Sequence, residues 1–150
     1  STSSSAATIP VTLKTANQDL GVNQNVASFV VPVGATINMD GTAIMQGLAT
    51  VFIAQMSGID LTLFQYMQVV LLAVATSIGT AAVPSAGTIT LIIILQQFNL
   101  PLEAIGIILA VDRVLDMIRT SVNVTGDAAI ACIVAKTENQ LDENIFNSKA

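Results

Sequence analysis

Ser77-Ile78-Gly79-Thr80-Ala81-Ala82-Val83-Pro84-Ser85-Ala86-Gly87 lies in the middle of 42 residues, 61–102, that carry no charge. A helix crossing a bilayer needs about 20 apolar residues, so this run is too long for one span. Its centre is small, polar and punctuated by Pro and Gly, which disfavour helix. Two arms remain, at roughly 65–77 and 87–98, each shorter than a full crossing. Short apolar arms around such a tip predict a re-entrant helical hairpin. That backbone is tolerated at membrane depth only where it is buried in protein or lines a cavity. Two tightly turned spans are the alternative on length.

The rest of the chain has the composition such a hairpin needs. Of 150 residues, 53% are hydrophobic and 10% charged, with mean hydropathy +0.74. A soluble domain carries about 25% charged residues, so too few are present here to cover a globular surface. The fold class expected is an all-α membrane protein. A net charge of −5 with five Lys and Arg assembles no basic patch, which excludes nucleic acid as a partner. One cysteine, Cys132, and no histidine exclude an internal disulfide, a His/Cys zinc site and a histidine-dependent triad. The opening Ser1-Thr2-Ser3-Ser4-Ser5, with no initiator Met or basic signal segment, reads as the middle of a longer chain, so targeting is not read from it.

Charge spacing divides the chain further. Residues 20–39 and 41–59 are uncharged on either side of Asp40. The centre of this segment, Asn38-Met39-Asp40-Gly41-Thr42, holds residues that favour caps and turns over helix interiors. It predicts a transmembrane helix broken into halves at 24–37 and 42–57. Beyond Glu103, polar residues recur at Asp112, Asp116, Arg119, Asn123 and Asp127. Steps of about 100° place them within an arc of roughly 80°, along about 22 Å of one helix. Asp116, Arg119 and Asp127 together cost roughly 9 kcal/mol near a bilayer centre, against roughly 6 kcal/mol returned by the Ile, Leu and Val of the same helix. The charges win, so the seam must face protein, water, ions or a ligand. Ionisable residues there are functional candidates by default. Purely structural ion pairs, Asp112 with Arg113 or Asp116 with Arg119, are the alternative. Lys14, Lys136 and Lys149 against acid-only turns place the C-terminus in the cytoplasm under the positive-inside rule. The hairpin then dips in from outside.

Three irregular places converge opposite the seam: the serine run, the break at 38–42 and the hairpin tip. Broken half-helices expose N–H groups that attract carboxylates and C=O groups that attract cations. Asp40, Asp127 and the Asn38 amide are hard oxygen ligands. Arg119 offers a planar fork for a carboxylate, and Asp116 is placed for an ammonium. Together they describe a site for an acidic amino acid with coupled sodium ions. An ion channel is the rival of a different class, because oxygen-lined sites also conduct. Asn123-Val124-Thr125 matches a glycosylation sequon by chance inside a membrane helix. Thr125-Gly126-Asp127 lacks the phosphorylation loop of a cation-pumping ATPase. Val124 stands where an intramembrane aspartyl protease needs Gly.

The Ser-rich opening through Pro10, Asn38-Met39-Asp40-Gly41-Thr42, the tip Ser77 to Gly87, and Asp116-x-x-Arg119-Thr120-x-x-Asn123-x-x-Gly126-Asp127 together resemble the glutamate transporter family, the dicarboxylate/amino acid:cation symporters. The resemblance covers nearly the whole chain. It implies residues 1–21 as the second arm of a first re-entrant hairpin, 22–57 as the broken helix, 61–99 as the second hairpin, 101–137 as the last transmembrane helix and 138–150 as a cytoplasmic tail. These form the C-terminal part of a transport domain that moves as an elevator within a homotrimer. No cofactor is implied beyond coupling sodium ions. Asp116 and carbonyls near Ser3 and Val83 would hold the substrate ammonium. Asn123 and the backbone at Ser5, with Thr120 nearby, would hold the α-carboxylate. Arg119, Thr42 and the Gly87 N–H would hold the side-chain carboxylate. One sodium ion would sit with Asp127, Asn38 and carbonyls of Gly34 and Asn123. A second would sit with carbonyls near Thr36, Ser77, Ile78 and Thr80. A third would use Asp40 and Asn38. The chain departs from the family at Ala82, where many members have Gly, at Ser85, where a small residue or Gln varies, and at Ser3, where others have Arg. Neutral amino acid relatives lack the Arg119 equivalent, and proton-coupled C4-dicarboxylate relatives tend to lose the acids at 116 and 127. Retention of all three favours sodium-coupled aspartate or glutamate uptake over C4-dicarboxylate symport.

Overall fold

The computed structural model describes residues 1–148, so Lys149, used above for orientation, lies outside them. Among the described residues there are seven α-helices and one 3-10 turn, and no strand. Helix α1 (Ser5–Gln18) starts where the Ser4 hydroxyl accepts the Ala7 N–H, the usual way a serine satisfies a free donor at a helix start. Helices α2 (Gln24–Ile37) and α3 (Asp40–Met56) are the expected halves, separated by Asn38 and Met39 alone. Helices α4 (Leu63–Ile78) and α5 (Ala86–Gln97) are the arms of the hairpin. A capping box between Thr62 and Gln65 fixes the start of α4. A 3-10 turn, Leu102–Ala104, leads into α6 (Ile105–Thr137), 33 residues long and about 50 Å at 1.5 Å per residue. Helix α7 (Glu143–Asn147) closes the chain.

No helix among the described residues is long and apolar enough to cross a membrane. The halves and arms are 12 to 17 residues each, below the length of a span. The long helix α6 carries the polar seam. Its buried residues form a single stripe: Ile105 and Ile108, then Asp112, Asp116, Arg119, Thr120, Asn123 and Asp127, then Ala131 and Ala135. The ends of that stripe enter two separate apolar clusters. One joins Met45, Ile53, Leu91, Leu95 and Ile108. The other joins Ala16, Val22, Val31, Ala131 and Ala135. The polar middle lies between them, where α1, the α2–α3 break and the hairpin tip come together.

The outer surface is the apolar one. Leu63 is 81% exposed, Phe29 72%, Leu71 69% and Val114 58%. Buried charges under an exposed apolar skin invert the pattern of a water-soluble domain. Residues 138–148 fold back rather than trailing away. Val22 and Leu141 form an isolated bridge, Asp142 N–H donates to the Gly21 carbonyl at 2.8 Å, and Lys136 pairs with Glu143. Gly21 has φ +71°, and a Cβ there would lie 2.5 Å from the Asp142 carbonyl oxygen, so glycine is required at that turn.

Candidate substrate and cation site

The nine residues expected to hold substrate, Ser3, Ser5, Thr42, Val83, Gly87, Asp116, Arg119, Thr120 and Asn123, all line one pocket. Four elements supply them. Ser3, with φ +53°, and Ser5 come from the start of α1, and Thr42 from the first turn of α3. Val83 and Gly87 come from the hairpin tip, and the other four from the α6 seam. The pocket is tight, with about 10 Å³ of free interior, roughly the space of one water.

Close approaches explain the glycines. A Cβ on Gly87 would lie 2.8 Å from an Arg119 guanidinium nitrogen and 2.8 Å from the Thr42 methyl. The three groups expected around a side-chain carboxylate are therefore mutual neighbours. A Cβ on Gly41 would lie 2.6 Å from the Arg119 carbonyl oxygen, so α3 crosses α6 at backbone contact. The Gly41 N–H donates to the Asn123 amide oxygen at 2.8 Å. The Asn123 amide nitrogen faces Thr42 Oγ1 at 3.5 Å.

The structure also contains ion pairs of the structural kind. Arg119 pairs with Asp116 at 2.7 Å and with Asp112 at 3.1 Å, and all three side chains are at most 10% exposed. Asp112 thus pairs with Arg119 and not with its neighbour Arg113. Buried charges need such partners, because desolvation of an unpaired ion costs several kcal/mol. Among the described residues, two buried side-chain polar atoms have no protein partner, Arg119 Nε and Ser3 Oγ. Both belong to residues that line the pocket.

The cation residues divide into two groups. Asp127 is 1% exposed, and its Oδ1 accepts from the Asn38 amide at 3.1 Å. A Cβ on Gly34 would lie 2.5 Å from that same Oδ1. A Cβ on Gly126 would lie 2.5 Å from the Asn38 amide nitrogen and 3.6 Å from Asp40 Oδ2. Gly34, Asn38, Asp40 and Asp127 therefore gather at the α2–α3 break, one turn along α6 from Asn123. The second group is less joined. Ser77, Ile78 and Thr80 lie at the end of α4, where the hydroxyls donate to their own helix at Val74 and Thr76. Thr36 donates to Val33 at the end of α2. No hydrogen bond among the described residues links Thr36 to that end of α4.

Residues 1–137 match the sequence profile of the sodium:dicarboxylate symporter family. The chain belongs to the sodium:dicarboxylate symporter family. It is 50% identical over 133 residues to an excitatory amino acid transporter of Caenorhabditis elegans, covering 89% of this chain and 26% of that protein. It is 50% identical over 148 residues to mouse excitatory amino acid transporter 3, covering 98% and 28%. Human excitatory amino acid transporter 2 is 50% identical over 133 residues, covering 89% and 23%. The chain thus spans about a quarter of the length of these curated relatives. The family is one of transporters, which sets aside the ATPase and protease readings.

In this family member, four partners of the site escape sequence reasoning. Gln46 is fully buried and ties α3 to both hairpin arms. It donates to the Gly87 carbonyl at 3.0 Å and to Thr90 at 2.7 Å, and accepts from Thr76 at 2.9 Å. Its signal was available, since Thr42, Gln46 and Thr50 recur every four residues in an otherwise apolar helix. Asp112 stood in the seam without an assigned role. Ser85 and Thr88 give no signal, because small hydroxyl residues are common at hairpin tips.

Proposed function

We propose that this chain is the C-terminal part of the transport domain of a sodium-coupled symporter for acidic amino acids, aspartate or glutamate. The observation that carries the reading is the pair of partnerless donors, Arg119 Nε and Ser3 Oγ, at one pocket beside the Asp116–Arg119 pair. Buried donors without acceptors are rare in folded proteins. A carboxylate would satisfy the guanidinium edge bidentately, and an ammonium would take over Asp116. A zwitterion with a second carboxylate thereby exchanges one internal ion pair for charge-assisted contacts of the same kind. A neutral substrate would leave Arg119 poorly compensated in a dry site. A C4-dicarboxylate has no ammonium for Asp116.

Sodium coupling follows from the other carboxylates. Asp127 with Asn38 and the Gly34 backbone, and Asp40 with Asn38, offer oxygen ligands of the type a small hard cation takes. Carbonyls near Thr36, Ser77, Ile78 and Thr80 are proposed for a second ion. The full-length protein is proposed to be a multi-pass cell-membrane homotrimer, with a cytoplasmic C-terminus and an elevator movement of this domain. Calorimetry on the full-length protein with aspartate, glutamate, succinate and serine, each with and without sodium, tests the reading. Aspartate or glutamate is expected to bind only with sodium, at least about tenfold more tightly than succinate or serine. Equal binding of succinate would replace it with dicarboxylate symport.

A further inference from the structure

Ser85 stands at the start of α5, where a serine ordinarily caps the helix by accepting a free N–H from its first turn. It does not cap here: no side chain caps α5, and Ser85 has φ +62°. A residue other than glycine keeps that left-handed conformation only when its surroundings fix it. The Ser85 hydroxyl instead donates to Asp112 Oδ2 at 2.7 Å. Thr88, in the first turn of α5, donates to Asp112 Oδ1 at 2.5 Å. The same Oδ1 accepts from Arg119 at 3.1 Å. A single carboxylate on α6, 6% exposed in its side chain, therefore collects the Ser85 hydroxyl of the tip, the Thr88 hydroxyl of the adjoining turn and the guanidinium of the site.

The other attachments of the tip are of a different kind. Ser4 Oγ donates to the Ala82 carbonyl at 2.7 Å, Gln46 donates to the Gly87 carbonyl, and the Ser85 N–H donates to Asp116 at 2.9 Å. These, and the Ala6 N–H that donates to the Ala82 carbonyl at 3.4 Å, use the main chain of the tip and are open to any tip sequence. Only the Ser85 and Thr88 hydroxyls bring side chains of the tip and its adjoining turn to a charge, and hydrogen bonds to an ionised acceptor are about twice as strong as neutral ones.

We propose that Asp112 is the positioning residue that latches the hairpin tip to α6, with Ser85 and Thr88 as the two groups it holds. The latch also reports to the substrate side. Lifting the tip removes two of the three donors from a buried carboxylate and leaves Arg119 as its one remaining partner. Closure of the tip and the placement of Arg119 are thereby coupled through one side chain. The closure itself stands on geometry alone, while what the tip covers rests on the proposed acidic amino acid site.

Hydrogen exchange of the full-length protein, read by mass spectrometry without substrate, tests the latch. The S85A/T88V double variant removes both hydroxyls, and with Thr88 the acceptor of Arg119 Nη1 at 3.3 Å, while it keeps the Asp112–Arg119 pair. Amides of residues 80–90 are expected to exchange at least about tenfold faster than in the wild type, with amides of α2 unchanged as the folding control. D112N should give the same local acceleration. Tip exchange within about twofold of wild type in a double variant whose α2 amides are unchanged would overturn the proposal. If D112N loses protection throughout, the double variant alone decides, because it alters no charge. A second measurement separates the two readings. Aspartate should dissociate at least about tenfold faster from S85A/T88V. A wild type that binds neither aspartate nor glutamate refutes the acidic amino acid site, and the exchange result still accepts or rejects the latch.

Discussion

At Asp127 the chain places a carboxylate where neither water nor a basic side chain reaches it. It is 1% exposed, it accepts one hydrogen bond, from the Asn38 amide at 3.1 Å, and glycine at position 34 is what lets the backbone approach it. A buried carboxylate held by one neutral donor is under-compensated, and the partner proposed for it is a sodium ion. Asp127→Asn keeps an Oδ1 acceptor for Asn38 at nearly the same volume, so it should leave the fold standing. It removes the charge. The sodium concentration for half-maximal aspartate binding should rise at least about tenfold, equivalent to about 1.4 kcal/mol. A sodium titration of aspartate binding in the variant checks this, and an unchanged midpoint would exclude Asp127 as a ligand. At this scale the sequence was informative about which residues and silent about partners. The 4, 3, 4, 4 spacing along α6 put Asp116, Arg119 and Asp127 on one face. It could not tell that Arg119 would turn to Asp116 and Asp112, because that choice depends on where the hairpin tip lies.

Elements are held by the same few glycines. Gly41 and Gly47 both lie in α3, where either costs about 1 kcal/mol relative to alanine from propensity alone. Their surroundings separate them. A Cβ on Gly41 would meet the Arg119 carbonyl oxygen at 2.6 Å and the Arg119 Cα at 3.0 Å, whereas a Cβ on Gly47 meets nothing within 4 Å. The backbone of α6 cannot step aside without moving the seam. Gly41→Ala should therefore destabilise the full-length protein by about 1–3 kcal/mol, the usual range for overpacking. Gly47→Ala should be neutral or stabilising by up to about 1 kcal/mol. Thermal unfolding of the two variants in detergent checks the pair, and equal behaviour would mean that the α3–α6 approach is not fixed by Gly41. The elements themselves were the most legible part of the sequence. The break falls at Asn38 and Met39 and the arms end within about two residues of the expected limits, because Asn, Asp, Gly and Pro act on the local backbone. The return of residues 138–148 onto the α1–α2 turn was not legible. It depends on main-chain hydrogen bonds between Gly21, Asn23, Gln140 and Asp142, to which side-chain patterns are blind.

Across the whole molecule, charge and apolarity have exchanged places. The seam and its partners are inside, and side chains in the middle of α2, α4, α5 and α6 point outward. Phe29 is 72% exposed, Leu71 69%, Ile93 52% and Val114 58%. Each such side chain left in water forgoes about 1.5–3 kcal/mol of burial, so a surface built from them is stable only when something dry covers it. The relatives are about four times as long as the aligned segment, and the family resides in membranes, so the remainder of the protein and the lipid are the available covers. Both predict the same local environment. Nitroxide labels placed one at a time at positions 29, 71, 93 and 114, in full-length protein in lipid nanodiscs with other cysteines replaced, should collide more readily with dissolved oxygen than with a water-soluble nickel chelate. Preferential relaxation by the chelate at all four positions would mean that the apolar skin faces water. The inside-out arrangement would then need a different origin from the membrane. The opposite result assigns the exposed faces of α2, α4, α5 and α6 to lipid or protein, with the polar residues from Ser3 to Asp127 enclosed behind them.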